Sequence, residues 1–134
     1  MNKPLVYIAG PYTHPDPVSN TRRAVDVFNT LLDTGLIAPL CPHLSILLDF
    51  ARPRPVEEWY AYDLHVLRRC DAVYQMSGTS SGADKEVAFA EHLGIPVFDD
   101  FHTRNLVVWA KRWITDHGGT LPPEPCVHVA GESE

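Results

Sequence analysis

"DAVYQMSGTSSGADKEVAFAEHLGIPVF", Asp71 to Phe98, decides how this chain folds. It opens on a short apolar run, Asp71 to Met76, and passes through small, hydroxyl-rich, Gly-punctuated residues. A helical run follows from Gly82 to Leu93, and Ile95 to Phe98 is apolar again. Strand, loop, helix, strand is the pattern of a parallel crossover, because parallel neighbours cannot be joined by a tight hairpin.

Working outward from this unit, the same alternation continues. Leu5 to Ala9 (LVYIA) is an apolar run ended by Gly10-Pro11, a strand buried on both faces. Asn20 to Leu32 places Ala24, Val25, Val27, Phe28, Leu31 and Leu32 close to helical period, with Ser19 or Asn20 as cap and Gly35 as stop. Leu36 to Leu40 reads as a second strand with Pro39 near its end. Ser45 to Ala51 (SILLDFA) reads as a short helix, and the Pro-rich ARPRP after it as a stiff connector. Helices are predicted over Val56 to Arg69 and Thr103 to Asp116, the second carrying Trp109 and Trp113 as core or oligomer-interface residues. Beyond Pro122, Cys126 to Val129 reads as an edge strand and Gly131 to Glu134 as loose chain.

Strands alternating with helices imply a parallel sheet covered on both faces. The expectation is one α/β domain over residues 1–134, a flavodoxin- or Rossmann-like three-layer sandwich with four to five parallel strands. A chain of 134 residues, 45% hydrophobic and 21% charged, is long enough to bury a core of that kind.

Composition narrows the function. The net charge is −6 and no basic stripe is present, which argues against a nucleic-acid polymer as partner. No apolar run reaches the roughly 18 residues of a membrane span, and the N-terminal apolar run is too short for a signal peptide. The three cysteines, Cys41, Cys70 and Cys126, are widely spaced, which fits a reducing cytoplasm. Neither they nor the seven histidines form a pair at metal-binding spacing, so no metal or other cofactor is expected.

In open parallel sheets ligands bind at the carboxyl ends of the strands, where the strand order reverses. Two loops leave those ends: Gly10-Pro11-Tyr12-Thr13 and Ser77 to Ala83. If their strands are neighbours, the loops face each other across one crevice. Ser80 and Gly82, at the start of the helix, offer a cradle for an anion through free backbone N–H groups. The same residues also read as an ordinary helix cap with a flexible lead-in. Glu86 follows about one turn later, where the helix dipole would hold it ionised. There it is either a helix-start carboxylate or a nucleophile for a sugar C1′. Glycosidic chemistry needs a second acid at the leaving base, and Asp63 is a helical acid within reach of the same crevice; it also reads as a solvent-facing residue. Tyr7 and Tyr12 flank the first loop, where a phenol can hold the nucleophile or stack near a base, although Tyr7 also reads as plain core. His43 follows the second strand at the same end of the sheet. Asp71 reads as a cap or strand start, and Asp84 as a surface acid.

Together, Tyr7-Ile8-Ala9-Gly10-Pro11-Tyr12, Asp63-Leu64, Asp71-Ala72-Val73, Ser80-x-Gly82-x-x-x-Glu86 and Gly94-Ile95-Pro96-Val97 resemble the nucleoside 2-deoxyribosyltransferase superfamily, which includes the 2′-deoxynucleoside 5′-monophosphate N-glycosidases. The resemblance covers Leu5 to Phe98 and implies a homodimer or homotetramer acting on a nucleoside or nucleotide. It implies a glutamate nucleophile at Glu86, an aspartate assisting the leaving base at Asp63, and phosphate contacts from Ser80 and Gly82. Lys85 beside the glutamate, and the segment Leu44 to Glu58, depart from that superfamily's pattern. Two other readings stand beside this one. One is a nucleotide-binding or sensing module without turnover. The other is a cytokinin-activating-type nucleotide phosphoribohydrolase, whose Pro-Gly-Gly-x-Gly-Thr run this chain lacks.

Overall fold

The computed structural model describes residues 2–123. The edge strand expected at Cys126 to Val129 and the loose end at Gly131 to Glu134 lie outside the described residues. In chain order the elements are β1 (Leu5–Ala9), α1 (Pro17–Asp33), β2 (Ala38–Leu40), a 3-10 turn (Pro42–Leu44), α2 (Ser45–Ala51), α3 (Val56–Leu67), β3 (Ala72–Gln75), α4 (Ser81–His92), β4 (Val97–Asp99) and α5 (Thr103–Asp116). The four strands form one parallel sheet in the order β2-β1-β3-β4. The α/β sandwich expected from the alternation of runs is therefore the fold observed.

Alternation along the strands builds the layers. Successive side chains of β1 point to opposite faces. Val6 and Ile8 join Ala72 and Tyr74 of β3 beneath Ala24 and Leu31 of α1 and Leu106, Ala110 and Ile114 of α5. Tyr7 and Ala9 join Val73 on the other face beneath Leu67 of α3 and Ala90 of α4. Full burial of each large aliphatic side chain contributes roughly 1.5–3 kcal/mol. The α1/α5 face, with Trp109 and Trp113 half-buried against it, is the larger apolar store. Those two tryptophans pack on that cluster and lie on the opposite face from Tyr7.

Element boundaries differ from expectation where polar residues intervene. The first helix starts at Pro17 and its cap is Asp16, which accepts from the Val18 and Ser19 N–H groups, rather than Ser19 or Asn20. Proline at the first helical position sets φ in advance, so the helix starts a turn early. Asn20 is then free to turn inward, where it is buried and donates to the Tyr12 and His14 carbonyls at 3.0 and 2.9 Å. Asp71 lies just outside β3, and its carboxylate accepts from the Leu5 N–H at 2.8 Å, tying the start of β1 to its neighbour. No helix among the described residues is long and apolar enough to cross a membrane.

Candidate active site

The strand order reverses between β1 and β3, so the chain leaves their adjacent carboxyl ends in different directions. Gly10 follows β1 and packs so closely on Met76 that an added Cβ would stand 2.9 Å from that side chain. Gly78, in the loop after β3, has φ +123°, and a Cβ there would meet Pro11 Cγ at 2.8 Å. Both glycines let the two loops close against each other. Above them lies a cavity of about 710 Å³, the size of a small-molecule site. Gly10, Pro11, Tyr12, His43, Asp63, Ser80, Gly82 and Glu86 all line it.

Tyr7 does not line the cavity; it lies beneath it, fully buried on the α3/α4 face. Its hydroxyl and Glu86 Oε2 are both buried, and neither has a hydrogen-bond partner. They are near enough to act on one another without being aligned as a bond. Glu86 is 9% exposed. The sequence reading expects the helix dipole to keep this carboxylate ionised at ordinary acidity; the structure reverses that expectation. Burial raises Glu86 to about 7, the Tyr7 phenol opposes the rise, and the Asp63 charge adds to it. Desolvation exceeds the dipole because α3 and the sheet shut out the water that a surface helix start would have.

Asp63 is also raised to about 7 by burial, so it is not a solvent-facing helical acid. The mutual repulsion is felt by whichever of the two carboxyls ionises second, and the pair titrates as a unit. Burial makes it costly for both to be ionised at once. The Tyr7 phenol opposes the rise at Glu86, because a phenol dipole favours the charged form. Tyr7 stays protonated, because burial and then the Glu86 charge push its phenol far up.

The remaining residues divide by role. Ser80 caps α4, its Oγ accepting from the Ala83 N–H at 3.1 Å, which leaves the hydroxyl proton free to donate. Gly82 gives room, since a Cβ there would meet only Ser80 Oγ at 3.8 Å. His43 is buried, with Nε2 2.9 Å from the Pro11 carbonyl, which makes Nε2 the protonated nitrogen. Burial lowers its pKa and keeps the ring neutral. The Tyr12 ring lies 6.0 Å from it. Asp84 is exposed and takes no part.

Val56, Glu57, Trp59, Tyr60 and Lys85 also line the cavity, and the sequence reading gives them no role there. The signal is present, however: Val56, Trp59, Tyr60 and Asp63 recur at helical spacing, so they share one face of α3. Lys85 Nζ lies 5.9 Å from the Tyr60 ring centroid, linking α4 to α3 across the cavity. Among the described residues, no group of three or more His, Cys, Asp or Glu is arranged to hold a metal ion.

The four-stranded parallel sheet with its helices places the chain in the flavodoxin- or Rossmann-like class of α/β sandwiches. Within that class, the chain belongs to the family described as a domain of unknown function (DUF7768), whose model matches residues 4–99. The matched segment runs from the start of β1 through β4 and contains every cavity residue named above. No curated protein matches the chain.

Proposed function

We propose that the protein cleaves or exchanges the N-glycosidic bond of a nucleoside or nucleoside 5′-monophosphate, with Glu86 as nucleophile and Asp63 as the acid at the leaving base. The observation that carries this reading is the meeting of two carboxyls in one cavity, Glu86 and Asp63, each raised to about 7 by burial. A Glu86 carboxylate oxygen forms a bond to C1′ as the C1′–N bond breaks. The bonding pair goes to the base nitrogen, which takes the Asp63 proton. In hydrolysis, water then attacks C1′ of the ester, Asp63 accepts the water proton, and Glu86 leaves as carboxylate. In exchange, a second base takes the place of water. The aromatic walls, Tyr12, Trp59 and Tyr60, suit a flat base. The N–H groups at the α4 start, with Ser80 and Gly82, suit a 5′-phosphate.

Two related readings complete this proposal. Free, buried Cys41 and Cys70 fit a reducing cytoplasm. A homodimer or homotetramer fits the exposed Leu47, Leu48 and Phe50 of α2. A sensing module without turnover would use the same cavity. It gives no reason, however, to bury two carboxyls against their solvation.

The test is chromatographic. The protein is incubated with a panel of nucleosides and 5′-monophosphates, with and without a second base. Free base from monophosphates defines a hydrolase, and exchange that needs an acceptor defines a transferase. No release from any member defeats the enzyme reading. In that case, a rise in melting temperature with a nucleotide would favour the sensing module.

A further inference from the structure

The loop that delivers Ser80 and Gly82 to the cavity is held from outside it. Asp100, just past β4, accepts from the Ser77 N–H through Oδ2 at 2.8 Å and from the Tyr74 hydroxyl through Oδ1. Arg23, on α1, donates from Nη2 to the Ser77 carbonyl at 2.8 Å. One residue, Ser77, is thus gripped at its N–H by an anion and at its carbonyl by a cation. Gly78 follows at φ +123° and rests on Pro11 of the other ligand loop. Neither Arg23 nor Asp100 lines the cavity. Charge-assisted hydrogen bonds are stronger and shorter than neutral ones. A bracket made of two of them fixes where Thr79 to Gly82 begin, and hence where the α4 N–H groups point.

We propose that Asp100 and Arg23 are positioning residues for the Ser77–Gly82 loop, and that through it they set the enzyme's preference for a substrate carrying a 5′-phosphate. This rests on the glycosidic reading of the cavity. It adds two residues that touch neither the substrate nor the reacting carboxyls. Their action is confined to the end of the cavity where the α4 N-terminus sits, because Glu86 and Asp63 are placed by α4 packing and by α3, not by Ser77.

The experiment compares Asp100→Ala, Asp100→Asn and Arg23→Met with the wild-type protein. Each is assayed for kcat and KM on a nucleoside and on its 5′-monophosphate. An asparagine can keep both contacts, its amide oxygen accepting from Ser77 and its amide N–H donating to Tyr74, whereas alanine can keep neither. The expected result is a rise of about five-fold in KM for the monophosphate in Asp100→Ala and Arg23→Met. kcat and the nucleoside KM stay near wild type, and Asp100→Asn restores the monophosphate KM. Unchanged constants in Asp100→Ala, an equal rise for both substrates, or failure of asparagine to restore the constant overturns the proposal. Absence of base release from the wild-type protein defeats the glycosidic reading instead, and with it the phosphate preference. Amide hydrogen exchange then decides the bracket by itself. Faster exchange over Ser77–Ala83 in Asp100→Ala, restored by asparagine, upholds it, and equal exchange in all variants overturns it.

Discussion

The two faces of the sheet are made from the same strands and do opposite work. Beneath α1 and α5, β1 contributes Val6 and Ile8 to a cluster closed by Leu106, Ala110 and Ile114, where the Tyr74 hydroxyl is satisfied by Asp100. Beneath α3 and α4, a one-residue step along the same strand contributes Tyr7, and the polar atoms of Tyr7 and Glu86 there go without partners. The first face stores stability. The second gives some of it up, because ionisable groups shut away from water are costly unless something binds them. Strained or unsatisfied groups of this kind collect at functional sites, where a ligand supplies what the fold withholds. A single period-two alternation thus separates the larger apolar store from the face that carries the proposed chemistry, and substitutions on the two faces should separate the same way.

The largest expected effect is on the α3/α4 face. Glu86→Gln should reduce base release by at least about a thousand-fold, since a carboxamide cannot attack C1′. The same variant should be as stable as the wild type or more stable at pH 8, because it removes a buried charge. Turnover within a few-fold of wild type would return Glu86 to being a buried acid without catalytic work. The matching change on the other face is Leu106→Ala. It should lose about 2–5 kcal/mol of stability by leaving a cavity beneath α5, while the folded fraction keeps its kcat and KM. Denaturant melts together with kinetics on the same samples decide it; a large loss of kcat per folded molecule would break the division between faces.

Asp63→Asn comes next. It should lower kcat about a hundred-fold with little change in KM, the expected size for one general acid. Substrates with a good leaving base should suffer less, because they need the proton less. An unchanged kcat across bases would remove Asp63 from the reaction.

Much of this division was legible in the sequence, for identifiable reasons. Leu5–Ala9 and Asp71–Met76 read as strands because they are unbroken apolar runs punctuated by glycine, and the structure keeps β1 intact and trims only the ends of the second. The convergence of Gly10, Ser80 and Glu86 followed from the rule that ligands bind where strand order reverses. The titration of Glu86 was not legible. Its place on α4 can be counted along the chain, but its burial depends on α3 and Tyr7, which sequence spacing does not bring together. The start of α1 was misplaced because Ser19 and Asn20 look like caps until the preceding Asp16-Pro17 is weighed. The bracket on Ser77 could not be read at all: its partners stand 54 and 23 residues away.

The comparison sharpens further when pH is varied. Glu86 titrates at about 7 folded and near its ordinary value of 4.5 unfolded. Between those values the unfolded chain has lost a proton that the native protein still holds. Stability should therefore be greatest below about pH 4 as far as this group is concerned, and should fall as pH rises through 7, by on the order of 2 kcal/mol. Asp63 acts in the same direction. Glu86→Gln should flatten the slope between pH 5 and 8, and Leu106→Ala should lower the whole curve without changing its slope. Equal slopes in wild type and Glu86→Gln would mean that Glu86 is solvated in the native state.

The smallest effect tests the residue where the two faces meet in one strand. Tyr7 carries a ring that fills the core and a hydroxyl that serves Glu86. Tyr7→Phe keeps the ring and removes only the hydroxyl, which has no hydrogen-bond partner, so the fold should lose little. The phenol's dipole favours ionised Glu86 and opposes burial. Without it, the Glu86 pKa rises. The proposed mechanism needs Glu86 ionised and Asp63 protonated, so the rate should follow a bell-shaped profile in pH. The limb that reports Glu86 should move to higher pH, by about one unit or less. A profile that stays in place while stability also stays in place would show that the hydroxyl does nothing for Glu86, and that Tyr7 belongs with Val6 and Ile8 as scaffold.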